Sequence, residues 1–322
     1  MANLVLGIGS SHGPTIQTPA SGWPSLGAKD PNDPRMNYAE LLRNARPGLE
    51  AEITPEIQQE RHLRNQAGLD RLATTVADAN LDVIITISNP HRIWDDDNQQ
   101  VFGIFRGATL PVAVRTGERF DPDMRFRPAS ERPKPTIKES PGQPELATYL
   151  IRALIEQGFD VGCTEKLREG SGLDEAFTLL YERLTLNENI VPMVPFILSR
   201  YLPYQATAKR CYELGQALGR AIAAWDSNVR VGIFASGGLS HQVIDEEMDR
   251  QVVDAMVEGN KDVLCALPVD RLNFAPGTPE TLNWVAVAGA MSPTNMTLVD
   301  YVPCYRSLAG TGHGVTFGYW SA

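Results

Sequence analysis

Three histidines stand where strand-like runs end. His12 follows Leu4–Ile8 in Ser10-Ser11-His12-Gly13-Pro14, and His91 closes the run Val83-Ile84-Ile85-Thr86-Ile87-Ser88-Asn89-Pro90-His91. His241 ends Ser236-Gly237-Gly238-Leu239-Ser240-His241, just past Val231-Gly232-Ile233-Phe234. The chain has only five histidines in 322 residues, so three at strand ends form a pattern. Two imidazoles and a carboxylate on one face of a metal leave the opposite positions open, which suits ferrous iron binding substrate and dioxygen together. A histidine that is not a ligand can then act as a base near neutral pH. Two acidic candidates stand at helix starts beyond His241, the group Asp245-Glu246-Glu247 and Glu280. Spacing alone leaves the choice between them open.

Each of these residues also has an ordinary reading. Gly13-Pro14 and Pro90 make turns in which His12 and His91 are only surface residues. The carboxylates are the usual first-turn residues favoured by the helix dipole, and Gly237-Gly238 is a tight turn. Zinc accepts two histidines, a carboxylate and a water, so a metal hydrolase or lyase at the same ligands stays open. A non-enzymatic binding protein of the same fold is the other alternative.

The elements that must position these groups alternate. Strands are expected at Leu4–Ile8, Val83–Ser88, Val101–Phe105, Val112–Val114, Ile190–Ile197 and Val231–Ala235. Helices are expected at Pro55–Asn80, Gln143–Glu156, Leu173–Leu184, Ala206–Asp226, Glu246–Glu258 and Pro279–Met291. That alternation predicts an α/β fold with a central, largely parallel sheet flanked by helices. Ligands bind such sheets at the carboxyl ends of the strands. Thr278 and Pro279 read as a cap and first-turn proline for the last helix. The chain reads as one catalytic domain over 1–322, with long loops at 18–34 and 116–144 as walls or lids of a pocket.

Composition narrows the partners. A net charge of −10 disfavours nucleic acid and anionic membrane. No window reaches the roughly 18 apolar residues of a membrane span, and the start of the chain has no leader-like basic and apolar regions. The four cysteines, Cys163, Cys211, Cys265 and Cys304, form no framework spacing, as expected of reduced thiols in the cytoplasm.

Several segments resemble the class III extradiol dioxygenases, the family of the protocatechuate 4,5-dioxygenase catalytic subunit. They are Ser11-His12-x-Pro14, Asn89-x-His91, Lys209-Arg210-Cys211-x-x-Leu214-Gly215, Gly237-Gly238-Leu239-Ser240-His241-Gln242, Glu247-x-Asp249, and Glu280-x-x-x-Trp284 with Gly289-Ala290. Residues Arg43–Gln66 and Ala309-Gly310-Thr311-Gly312 are similar to the single-chain 3-O-methylgallate 3,4-dioxygenase branch. The resemblance implies Fe(II) held by His12, His91 and Glu280, with His241 as catalytic base. It selects Glu280 over Glu247 because the family's metal-binding glutamate stands four residues before the tryptophan. It implies a small aromatic diol and O2 as substrates, and a homo-oligomer. Ser11, Trp94, Ser171, Gly238 and Ser240 are candidates to line the substrate pocket.

Two departures accompany the match. Pro90 replaces the aspartate common before the second ligand, which leaves His62 on the Pro55–Asn80 helix as a reserve ligand. Ser171 stands where relatives can carry a pocket histidine. His313, between Gly312 and Gly314, reads as a solvated loop residue. Asp95, Asp96 and Asp97 read as a solvated turn, and Tyr301–Trp320 as an apolar surface for subunit contact.

Overall fold

In the computed structural model, which describes residues 1–89, 99–114, 136–185, 191–200 and 202–322, the Val- and Ile-rich runs form strands and the amphipathic segments form helices. The strands are β1 (Asn3–Ser10), β2 (Val83–Ser88), β3 (Phe102–Phe105), β4 (Thr109–Val114), β5 (Thr136–Pro141), β6 (Gly162–Thr164), β7 (Met193–Leu198), β8 (Arg230–Ser236), β9 (His241–Val243), β10 (Thr297–Tyr305) and β11 (Thr311–Ser321). The main sheet runs in the order β10-β11-β1-β8-β2-β7-β3-β6, with β9 paired to β11; β4 and β5 form a separate hairpin.

The centre of the sheet is parallel, as expected. β1 pairs with β8, β8 with β2, and β2 with β7, all parallel. The flanks are antiparallel where β3 meets β7 and where the carboxyl-terminal hairpin β10–β11 adds to β1. Because β1, β8, β2 and β7 run the same way side by side, their carboxyl ends share one edge. Ser10 is level with Ser236, and Ser88 with Ile197. The residues just past those ends are thereby gathered: His12, the Gly237-Gly238 turn, Asn89 and Arg200.

Alternate residues of the central strands face opposite layers, as the two-residue strand period requires. Val83, Ile85 and Ile87 pack with Leu150, Leu214, Val252 and Val285, from the helices Pro144–Glu156, Ala208–Ala224, Glu246–Glu258 and Thr281–Met291. Ile84 packs with Leu72, Phe177 and Leu180, from the helices Pro55–Ala79 and Glu175–Leu184. Both faces are covered, which is why these strands read as unbroken apolar runs. Thr54 caps the long helix by accepting from the Ile57 N–H, and Asn80 ends it with φ of 47°.

The Thr281–Met291 helix is buried on every side, as a helix apolar all round must be. It lies close against the Ala208–Ala224 helix, where a Cβ on Gly215 would strike the Ala286 carbonyl and one on Gly289 the Tyr212 carbonyl. The Gly215 and Gly289 segments singled out in the sequence are therefore one contact.

Three expectations change. Residues 18–34 are not an irregular loop, because Ala20–Gly22, Trp23–Gly27 and Asp30–Asn32 form short helices seated by buried Trp23 and Leu26. Of the stretch 116–144, residues 116–135 lie outside the described residues, while Thr136–Pro141 pairs with β4. Tyr301–Trp320, expected as an apolar surface, is mostly β10 and β11, and its Val302, Val315 and Phe317 lie in the core.

Candidate metal and acid–base site

The His12, His241 and Glu280 side chains converge at the carboxyl edge of the parallel strands. His12 Nε2 lies 3.8 Å from Glu280 Oε2, and His241 Nδ1 lies 3.5 Å from the same oxygen. Glu280 is fully buried, His12 nearly so, and the His241 side chain is 12% exposed. Two further groups address the Glu280 carboxylate. Gly238 N–H donates to Oε2 at 3.1 Å, and Arg200 Nη1 stands 3.5 Å from Oε1.

Local structure explains how each group arrives. His12 stands two residues past β1, and its Nδ1 lies 3.1 Å from Ser236 Oγ at the end of β8. Donation of Nδ1–H to that hydroxyl leaves the Nε2 lone pair facing Glu280, the outer contact that fixes the tautomer of a metal-binding imidazole. Gly237 holds φ of 143°, and a Cβ there would lie 2.8 Å from Glu280 Cβ. Only glycine permits both the conformation and the approach. The turn is tied to the last helix, since Trp284 Nε1 donates to the Gly237 carbonyl at 2.9 Å. Asn283 Nδ2 donates to the Ser236 carbonyl at 2.8 Å and to Asn89 Oδ1 at 2.7 Å. Glu280 therefore enters the site from a helix start that is bonded to the strand ends it serves.

Thr278 does not cap that helix. Residues Thr278–Glu280 form a 3-10 turn, and the Thr278 hydroxyl accepts the His241 N–H at 3.2 Å. Ser240, the residue before His241, is held from another side. Asp249 accepts from Ser240 N–H at 2.7 Å and Ser240 Oγ at 2.5 Å, and from Tyr301 Oη at 2.8 Å. Burial pushes the Asp249 carboxyl up to about 7 against the pull of these donors.

Electrostatics favour a neutral His241. Burial lowers its pKa below the ordinary histidine value, opposed by the charge and hydrogen bonding of Glu280 and reinforced by Arg306 and Arg200. Beyond the Glu280 contact, its buried Nδ1 has no hydrogen-bond partner among the described residues. The site opens on a cavity of about 390 Å³ whose lining includes Lys29, Arg35, Arg200 and Arg306, with Asp30, Asp33 and Glu175. Arg306 is itself paired with Asp30 at 2.8 Å.

The residue types suit a divalent ion, and 3.8 Å between His12 Nε2 and Glu280 Oε2 lets one ion reach both at the usual distances of about 2.0–2.2 Å. Among the described residues no group of three His, Cys, Asp or Glu closes a metal cluster. His91, the third ligand expected from sequence, lies outside them, as do Trp94 and Asp95–Asp97. His62 is not in the cavity lining, and burial and then the charge of Arg183 lower its pKa.

The other acidic candidates are accounted for elsewhere. Asp245 caps its helix and pairs with Arg271 at 3.0 Å, Glu246 accepts from Tyr305 Oη, and the Glu247 side chain is 88% exposed. Of the remaining pocket candidates, Ser11 Oγ is buried without a hydrogen-bond partner among the described residues and would lie 3.3 Å from a Cβ on Gly238. Ser240 turns to Asp249. Ser171 is not in the cavity lining, whereas Glu175 is.

Arg200 was missed in the sequence, and His313 was misread. Arg200 stands two residues past β7, in the same strand-end position that marked His12. His313 was obscured by its flanking glycines: it is no loop residue but a fully buried member of β11.

Known proteins are similar to parts of this chain. The profile described as "Catalytic LigB subunit of aromatic ring-opening dioxygenase" matches residues 49–315. A gallate dioxygenase of Pseudomonas putida is 35% identical over 164 residues, 47% of this chain and 46% of that protein. A 2,3-dihydroxyphenylpropionate/2,3-dihydroxicinnamic acid 1,2-dioxygenase of Azotobacter vinelandii is 33% identical over 98 residues, 30% of each chain. One of Dechloromonas aromatica is 22% identical over 223 residues, 52% of this chain and 70% of the relative. The match thus spans less than half the length of the Pseudomonas and Azotobacter proteins.

Proposed function

The chain belongs to the family of the catalytic LigB subunit of aromatic ring-opening dioxygenases, and from that premise we propose that it opens the ring of a catechol-type diol with O2. In this reading His12, His91 and Glu280 hold Fe(II), and His241 is the base. The observation that carries it is the approach of His12 Nε2 and His241 Nδ1 to one buried Glu280 oxygen, at 3.8 and 3.5 Å.

When bound, the ion supplies Lewis acidity that lowers the pKa of a coordinated phenol. The remaining work falls to side chains. His241, kept neutral by burial, takes the proton of the diol. Ser236 holds the His12 tautomer that leaves Nε2 available. Arg200 offsets the charge of Glu280 from the Oε1 side. The cavity lining sets four cations against three carboxylates, with Arg35 paired to Asp33 and Arg306 to Asp30. That balance tolerates an anionic ring substituent, in keeping with gallate and 2,3-dihydroxyphenylpropionate, the named substrates of the relatives. Ring opening beside the diol follows from the family alone. A reducing cytoplasm, in keeping with four free cysteines, and a homo-oligomer belong to the same proposal.

The test is protein purified without oxygen, its metal assayed, with oxygen uptake followed on protocatechuate, gallate, 3-O-methylgallate and 2,3-dihydroxyphenylpropionate. His12→Ala is expected to stay folded and lose the metal. His241→Ala is expected to keep the metal and lose about 10²–10⁴-fold in kcat. Loss of metal in His241→Ala would overturn the division of roles. Bound zinc with no oxygen uptake on any diol would overturn the dioxygenase reading.

A further inference from the structure

His313 lies opposite His241 across the β9–β11 ladder. The two rings meet edge to face, 4.1 Å between centroids and 64° between planes. On its other side His313 Nδ1 lies 3.0 Å from the hydroxyl of buried Thr15. The ring also fills the space over Gly13, where a Cβ would come within 2.6 Å of His313 Cδ2 and 2.8 Å of Nε2. His313 therefore sits between the His12–Gly13 backbone and the His241 ring, anchored at Thr15.

A purely structural residue here would be apolar. Side chains two apart share a face of a strand, and Val315 and Phe317, next in that row of β11, are core residues. A fully buried imidazole costs desolvation that a valine or phenylalanine avoids, so what it touches must account for it. It touches the threonine that follows the first ligand segment, and it touches the base.

We propose that His313 is a positioning residue for His241: anchored by Thr15, its ring holds the His241 imidazole in the orientation that keeps Nδ1 on Glu280 and the cavity. The inference rests on the reading of His241 as base. Edge-to-face aromatic pairs have a preferred geometry, and a displacement of about 1 Å in a reacting group can cost about a hundredfold in rate.

The test uses full-length, iron-loaded protein and compares His313→Ala, Thr15→Val, His241→Ala and the double variant His241→Ala/His313→Ala. Expected for His313→Ala is a kcat about a hundredfold lower, with KM and metal content near wild type. Thr15→Val is expected to give a smaller loss of the same kind. Because His313 acts through His241, the double variant should be no slower than His241→Ala alone. In metal-free protein with labelled histidines, the His241 ring resonances should shift in both His313→Ala and Thr15→Val. Wild-type kcat in folded His313→Ala, or losses that multiply in the double variant, would overturn the proposal. If His313→Ala does not fold, Thr15→Val decides: an unchanged kcat with unmoved His241 resonances overturns it. If His241→Ala turns over at the wild-type rate, the base assignment fails instead, an outcome distinct from failure of His313 alone.

Discussion

Asp249 shows at the residue scale how one carboxyl can tie stability to pH. It is almost completely buried, bonded to Ser240 and Tyr301, and its pKa is pushed up to about 7 from an ordinary 3.8. Burial and the Asp249 charge push the Tyr301 hydroxyl well up, so Tyr301 stays a donor. Below pH 3.8 Asp249 is protonated whether the chain is folded or not, and it contributes nothing to pH dependence. Between about 4 and 7 the folded state holds a proton that the unfolded state has lost, so stability falls as pH rises through that window. At 1.36 kcal/mol per unit the decline reaches roughly 4 kcal/mol at most. The substitution Asp249→Asn mimics the protonated acid, with the amide oxygen accepting from Ser240 N–H and the amide nitrogen facing the two hydroxyls. Denaturant titrations at pH 4 to 7 should show wild-type stability declining and Asp249→Asn declining less by a few kcal/mol. Parallel curves would refute the assignment.

At the element scale the contact between the Ala208–Ala224 and Thr281–Met291 helices carries the most consequence, because the second helix begins at Glu280. A branched side chain at Gly289 must displace the Tyr212 backbone. Gly289→Val is therefore expected to lower stability by about 1–3 kcal/mol or more, and to weaken metal binding as the helix start shifts. A lower melting temperature with unchanged metal affinity would show that the helix start is held independently, through Trp284 and Asn283. The helices Glu246–Glu258 and Pro55–Ala79 were legible in the sequence because their caps and apolar periods agree: the first matches to the residue, and the expected Pro55–Asn80 runs one residue past its observed end. The carboxyl-terminal hairpin was not. Its strands and turn carry Gly310, Gly312, Gly314 and Gly318, which read as turn residues, while β11 forms because it has β1, β9 and β10 to pair with. Thr278 misled in the same way, since its hydroxyl is taken by a distant N–H rather than by its own helix.

The whole molecule assembles a site whose parts come from residues 12 to 280, so under the proposed function ion binding and folding are linked. Strand-end position revealed His12 and His241 from the sequence. The gathering of β1, β8, β2 and β7 at one edge, which also brings Arg200, depends on sheet order that no local pattern carries. An unfolded chain cannot hold His12 and Glu280 together across most of its length, so a divalent ion binds the folded state far better than the unfolded one. Mass action then stabilises the fold by about 2.7 kcal/mol at an ion concentration a hundred times Kd. For a chain of 322 residues that corresponds to an upward shift in Tm of about 4 °C. Anaerobic melting of metal-free protein against added Fe(II) should show that rise, growing with the logarithm of ion concentration. His12→Ala should be flat over the same range, while His241→Ala should rise like wild type, because the base is not a ligand. A rise in His12→Ala equal to that of wild type would place the ion elsewhere, and a flat His241→Ala would make that imidazole a ligand.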